Sequence, residues 1–327
     1  MNEALKYNYY SVYSPFIEGL ILQKKQCGFI YDAESYTLKR FDEFCTLRGY
    51  SDIPITREIA MEWALQRDTE SINYRNHRVT VFRQLSIYMN SMGIDSYIPR
   101  HQASGTTPAP PHIPTTSELQ ELFTIIDNYL PWQKHWQIYS MEYPVLFRLY
   151  YCCGLRLAEG CCLRRRNVNL EQGILAIMGS KGRKDRLVYM SDDLTALCKR
   201  YDCRISEFYP DREWFFPGRK YGKPFDKAGI DGKFRKFWEM TECSKHCEKR
   251  PTVHALRHAF VVGRMNKWMT EGVLLETMTP YLSRYLGHSG LSDTLYYYHH
   301  VREAFQILRQ KDHLSAQIIP EVVKYEG

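Results

Sequence analysis

Residues 97–116 carry five prolines, Pro99, Pro108, Pro110, Pro111 and Pro114, with no helical or strand period between them. Proline removes a backbone donor and restricts the residue before it, so neither a helix nor a central strand runs through this span. It is a linker, and it cuts the 327-residue chain into two modules. That division agrees with length, because a single core seldom grows to this size.

The first module reads as a small helical bundle over residues 10–95. Ser14 and Pro15 look like a cap and first turn ahead of Phe16, Ile17, Leu20 and Ile21 at helical spacing. A second helix fits Ala33 to Arg48, with Leu38, Phe41, Phe44 and Cys45 on one face. Thr56 caps a third helix through Gln66, and Ile72 to Met92 form a fourth, ended by Gly93.

The second module opens on Thr115 and Glu118, spaced as a capping box before Leu119, Leu122 and Ile125. Helices follow around residues 119–129 and 141–153. Gly154 then allows a sharp turn that presents Arg156 at the start of the next helix, a place suited to an anion. After Arg164, Arg165 and Arg166 the period changes. Ile174, Ala176 and Met178 alternate, a basic run follows through Lys181, Arg183, Lys184 and Arg186, and Leu187, Tyr189 and Met190 resume. This is a β-hairpin whose basic tip fits a phosphate backbone. The fold class is therefore mainly α with a small β-hairpin or sheet.

Charge is distributed unevenly. Forty-four Lys and Arg stand against 37 Asp and Glu, and the first hundred residues carry twelve of each sign, so the net +7 lies wholly after residue 100. A basic second half suits a polyanion, although a net charge of this size is also common in proteins that bind none. No stretch approaches the ~20 apolar residues that span a bilayer, and the N-terminus has no basic segment leading into an apolar run. The expected setting is the cytoplasm, away from membranes. Ten cysteines include the vicinal pairs Cys152-Cys153 and Cys161-Cys162, which read as small buried residues of a reduced protein. Cys243, His246 and Cys247 offer possible zinc ligands, but no second ligand pair stands at a standard spacing, and a polar loop containing thiols is the other reading.

The densest chemistry lies between Thr252 and Val301. His254 and Arg257 are three apart and share a helix face. Leu286-Gly287-His288 marks a turn, and Tyr296, Tyr297 and Tyr298 follow. Neighbouring helical residues point about 100° apart, so at most one of these tyrosines aims into a given site.

In order, Gly154-Leu155-Arg156 with Glu159, the lysine-bearing hairpin, His254 with Arg257 and His258, Leu286-Gly287-His288-Ser289, and a tyrosine nine residues after His288 form one pattern. It resembles the tyrosine recombinase, or phage integrase, family. The likeness covers residues 115–305 as a catalytic domain. It makes residues 1–97 a helical core DNA-binding domain, residues 98–114 the interdomain linker, and residues 306–327 a C-terminal tail that docks on a neighbouring protomer or packs on its own domain. By this resemblance Arg156 and Arg257 clamp the scissile phosphate, Lys181 protonates the departing 5′ oxygen, and His254 assists proton transfer at the nucleophile. His288 hydrogen-bonds the phosphate, Tyr297 is the nucleophile, and Glu159 is a supporting acid. Arg164, Arg165, Arg183, Lys184 and Arg186 would contact DNA. Tyr296 or Tyr298 enters the site if the helix start moves by one residue, and Lys184 is an alternative to Lys181.

The resemblance implies a site-specific recombinase that acts on double-stranded DNA as a homotetramer, through a 3′-phosphotyrosine and with no metal, ATP or other cofactor. Its implied setting is the integration or excision of a mobile element. Two alternatives share most of these residues: DNA relaxation of the type IB topoisomerase kind, and a DNA-binding regulator that has lost catalysis.

Overall fold

The computed structural model describes residues 5–100, 111–133, 137–179, 185–218, 222–288, 290 and 292–295. The chain separates into two compact units, residues 1–109 and 110–327.

In the first unit four helices, α1 (Ser14–Gln26), α2 (Asp32–Arg48), α3 (Arg57–Ala64) and α4 (Ile72–Ser91), bury one face each. Tyr13, Ile17, Leu38, Phe41, Trp63, Phe82, Leu85 and Met89 form the shared core, each fully buried. The side chains of Thr56 and Ser71 accept from the backbone N–H groups of Ile59 and Tyr74, which fixes where α3 and α4 begin. For α1 the cap is Tyr13 rather than Ser14, which is already helical. Arg78 is buried among these helices. Its Nε and Nη2 donate to the two carboxylate oxygens of Glu70 at 2.8 and 2.7 Å, and its guanidinium lies 4.7 Å from the Trp63 ring centre. A buried charge held this way is satisfied rather than free for a ligand.

In the second unit the order is α5 (Thr116–Asp127), α6 (Ile138–Cys153), α7 (Leu157–Cys161), three strands, α8 (Asp192–Ser206), α9 (Lys227–Glu239), α10 (Val253–Thr270), α11 (Leu275–Leu286) and α12 (Ser292–Leu295). The capping box at Thr115 is formed, with Glu118 accepting from the Thr115 N–H at 2.7 Å. Helix α6 is the central rod. It packs against α10, α8 and α5 and buries Leu146, Phe147, Leu149 and Tyr150.

Strands β1 (Val168–Asn169), β2 (Ile174–Ile177) and β3 (Arg186–Tyr189) form an antiparallel sheet in that order. The expected hairpin is β2 and β3, and β1 adds a short third strand. Its buried face is one residue out from the expected alternation. Leu175, Ile177 and Val188 point inward, while Met178, Leu187 and Tyr189 are exposed. Every residue from Ile174 to Met178 is apolar, so the sequence carries no contrast to fix the parity. Asp185 closes the base of the hairpin by accepting from the Gly179 N–H at 2.7 Å.

All ten cysteines are free thiols. Cys153 and Cys161 are buried as expected, Cys152 is half-buried, and Cys162 is exposed. Among the described residues no helix is long and apolar enough to cross a membrane. Nor does any group of three His, Cys, Asp or Glu stand in a metal-binding arrangement among them.

Candidate active site

The site is built around the last turn of α11. A helix C-terminus leaves its final carbonyls without intrahelical partners. Here Gly287 takes up φ 67°, and the chain folds back so that the Gly287 and His288 N–H groups donate to the Arg284 and Ser283 carbonyls, both at 3.0 Å. The next three carbonyls accept from arginines. Arg186 Nε donates to the Tyr285 oxygen at 2.7 Å, Arg257 Nη2 to the Leu286 oxygen at 2.7 Å, and Arg156 Nη2 to the Gly287 oxygen at 2.6 Å. Cations at a helix C-terminus are favoured by the helix dipole as well as by these hydrogen bonds. One turn therefore gathers guanidiniums from α7's cap, β3 and α10.

Glu159 ties two of them together. Its Oε1 accepts from Arg156 Nη1 at 2.9 Å and from Arg186 Nη1 at 2.8 Å, and its Oε2 accepts from Arg186 Nη2 at 2.7 Å and from the Arg156 N–H at 2.8 Å. Burial pushes the Glu159 carboxyl up, yet the paired hydrogen bonds and charges of Arg186 and Arg156 hold it below the usual carboxylate range. Arg257 spans from the Leu286 carbonyl to that of Gly154, at 2.5 Å, and so braces the turn that presents Arg156. Arg156 and Arg186 share the single Glu159 carboxylate, so this pair of guanidiniums carries one positive charge beyond it.

Gly154 is irreplaceable for a geometric reason. It sits at φ 60°, and an added Cβ would lie 2.7 Å from a Phe260 ring carbon and 2.9 Å from a Leu286 methyl. Gly154→Ala is expected to cost about 2–4 kcal/mol, from left-handed backbone strain and overpacking. Urea unfolding checks this, and an unchanged midpoint would contradict it.

Arg257 is buried and Arg156 is partly exposed, so of the two arginines expected to clamp a phosphate Arg156 is the more open to solvent. His254 lies one turn before His258 on α10, their rings 4.4 Å apart and edge to face. Although His254 reaches the surface, desolvation by its surroundings and the charges of Arg257 and Arg156 push it down to about 4. Burial and then His254, Arg257 and His288 push His258 down to about 2. Both rings are therefore neutral at pH 7. His288 is held through Nδ1 by the Thr294 hydroxyl at 2.7 Å.

These depressed values have a stability consequence. The unfolded histidines bind protons below 6.5 that the folded ones do not, so the stabilisation is complete above that pH and is lost as pH falls through it. The buried His258 is expected to contribute about 1.4 kcal/mol of lost stability per pH unit below its unfolded value. A urea-midpoint series against pH should fall less steeply for His258→Asn than for the parent. Parallel slopes would contradict the assignment.

The structure thus brings together Arg156, Glu159, His254, Arg257 and His288. Lys181, Arg183, Lys184 and Tyr297 lie outside the described residues, as does the tail. Three expected DNA contacts have ion-pair partners within the chain. Arg186 is almost wholly buried and its guanidinium is taken up by Glu159 and the Tyr285 carbonyl. Arg165 donates to both oxygens of Asp202 at 2.6 and 2.7 Å. Arg164 pairs with Glu213 at 2.7 Å and stacks 5.0 Å from the Trp214 ring centre. Of the three, Arg186 alone is buried, while Arg164 and Arg165 keep part of their side chains exposed. Thr294 as the partner of His288, and Arg186 as the partner of Glu159, carry no signal in sequence spacing.

The family profile described as phage integrase family matches residues 115–304, more than half of the chain. The chain belongs to the phage integrase family. It is a tyrosine site-specific recombinase. Over 284 residues it is 28% identical to the Sinorhizobium fredii protein y4rE, named as an integrase/recombinase, covering 86% of this chain and 89% of that one. Tyrosine recombinase XerD of Ralstonia nicotianae is 26% identical over 310 residues, covering 91% and 92%. Among solved structures, XerH site-specific recombinase bound to a palindromic difH substrate aligns with a TM-score of 0.63 at 17% identity, over 90% of this chain and 83% of that one. The last likeness concerns the fold of the recombinase alone.

Proposed function

We propose that this recombinase cuts and rejoins double-stranded DNA through a 3′-phosphotyrosine at Tyr297, without metal or ATP, and that it integrates or excises a mobile element. The observation that supports the chemistry is the convergence of Arg156 and Arg257 on consecutive carbonyls beside His288. Two guanidiniums fixed before DNA arrives oppose the charge that develops on the phosphate oxygens, and need no reorganisation in the transition state.

Tyr297 Oη attacks the phosphorus and the bond to the 5′ oxygen breaks. The phenolic proton passes to neutral His254, and the 5′ oxygen takes a proton from Lys181. The phosphotyrosine keeps the energy of the broken linkage, so a 5′ hydroxyl of another strand reseals it. Residues 1–97 act as the core DNA-binding domain, and Arg183 and Lys184 on the hairpin reach the backbone. Residues 306–327 dock on a neighbouring protomer in a homotetramer, and the enzyme works in the cytoplasm.

The test is incubation with a library of nicked duplexes of randomised sequence. SDS-resistant adducts carrying a free 5′ hydroxyl end are expected, enriched for one sequence. DNA binding with no adduct would return the reading to a silent regulator. Relaxation of any supercoiled plasmid by the monomer would favour the topoisomerase reading.

A further inference from the structure

We propose that Arg186 is a positioning residue for strand cleavage: it occupies the Glu159 carboxylate so that the Arg156 guanidinium stays available to the phosphate. The inference rests on the recombinase reading given above, and it assigns to Arg186 a role unlike a DNA contact.

The geometry carries it. Arg186 and Glu159 are the two ends of a parallel, doubly hydrogen-bonded pair, with side chains only 7% and 5% exposed. Against that fork, the Arg156 side chain shares one oxygen, Oε1, through a single bond at 2.9 Å, and spends its other end on the Gly287 carbonyl at 2.6 Å. A guanidinium has five N–H donors in a rigid plane, so these two bonds leave donors over for an anion. Glu159 is close enough to Arg156 to hold it bidentately, and a buried carboxylate that loses one arginine has every reason to capture the other. Arg186 prevents that capture. It also joins three parts of the site mechanically, because it opens β3, grips α7 through Glu159 and grips the last turn of α11 through the Tyr285 carbonyl at 2.7 Å. The register Ile177 opposite Arg186 puts this junction at the base of the hairpin that carries Lys181.

Removing Arg186 should therefore slow chemistry without weakening DNA binding, and removing the competing carboxylate as well should restore part of the rate. The probe is a nicked suicide duplex bearing the sequence recovered from the adduct library. Cleavage is followed in single turnover at saturating protein, and affinity by gel shift.

Arg186→Gln is expected to cleave about 100-fold more slowly, the order of loss that misplacing a reacting group brings, with affinity unchanged. Arg186→Lys should fall between it and the parent. Arg186→Gln combined with Glu159→Gln should cleave at least about tenfold faster than Arg186→Gln alone, because Arg156 is released. A parental rate for Arg186→Gln would overturn the inference, as would a loss of affinity equal to the loss of rate, or a folded double variant no faster than the single one. If Arg186→Gln does not fold, Arg186→Lys decides: slower cleavage at parental affinity supports the role, and a parental rate overturns it. Absence of any adduct from the parent protein would instead count against the recombinase reading itself.

Discussion

Tyr297→Phe protein should bind the recombinase's DNA site with parental affinity and form no covalent adduct. The substitution removes one oxygen and keeps the ring, so it takes away the proposed nucleophile and little else. Deleting a nucleophile that acts with a fixed set of partners removes nearly all of the catalysis those partners supply, a loss on the order of 10⁴-fold or more. The arginine clamp would remain and still hold the phosphate. Single-turnover cleavage of a nicked suicide duplex measures this, and adduct formation by Tyr297→Phe at a comparable rate would exclude Tyr297 as the nucleophile. Tyr296→Phe and Tyr298→Phe should both cleave, since the nine-residue step from His288 falls on Tyr297.

Arg257→Ala is the second large effect, and it reaches stability as well as activity. Arg257 is 1% exposed and donates to the carbonyls of Gly154 and Leu286, which belong to two different connections of the catalytic unit. Truncation leaves both carbonyls without that donor, at about 1–3 kcal/mol for each buried polar group, and opens a cavity besides. The variant should unfold at markedly lower urea. Arg257→Lys keeps the charge but offers a point ammonium in place of a planar fork, so it spans only one of the two carbonyls. It is expected to fold and to cleave about 10²–10³-fold more slowly, the usual cost of losing a transition-state donor. A denaturation midpoint for Arg257→Ala equal to the parent's would show that the bridge does not hold the site together.

Much of this was legible in the sequence because it depends on local chemistry. The caps at Thr56 and Thr115 are decided by the few residues around them, and the helices of both units follow from apolar spacing that the cores then bury. Arg156, His254, Arg257 and His288 were found as an ordered pattern, and the last turn of α11 explains why they meet. The sheet's parity was not legible, since an unbroken apolar run from Ile174 to Met178 has no alternation to read. The direction of Arg186 was hidden for another reason. A basic residue at the end of a basic hairpin looks like a solvent-facing cation, and only the fold shows that α7 and α11 bring Glu159 and the Tyr285 carbonyl to it from 27 and 99 residues away. The ion pairs of Arg164 with Glu213 and of Arg165 with Asp202 were hidden likewise, because those carboxylates reach them through tertiary contacts.

In the chemistry proposed above, one tyrosine of the recombinase becomes joined to DNA beside Arg156 and Arg257. The most direct test is to digest the trapped adduct with protease and sequence the peptide that remains on the DNA. A single modified residue is expected, Tyr297, attached to a 3′ phosphate. Attachment through any other side chain, or through a 5′ phosphate, would contradict it.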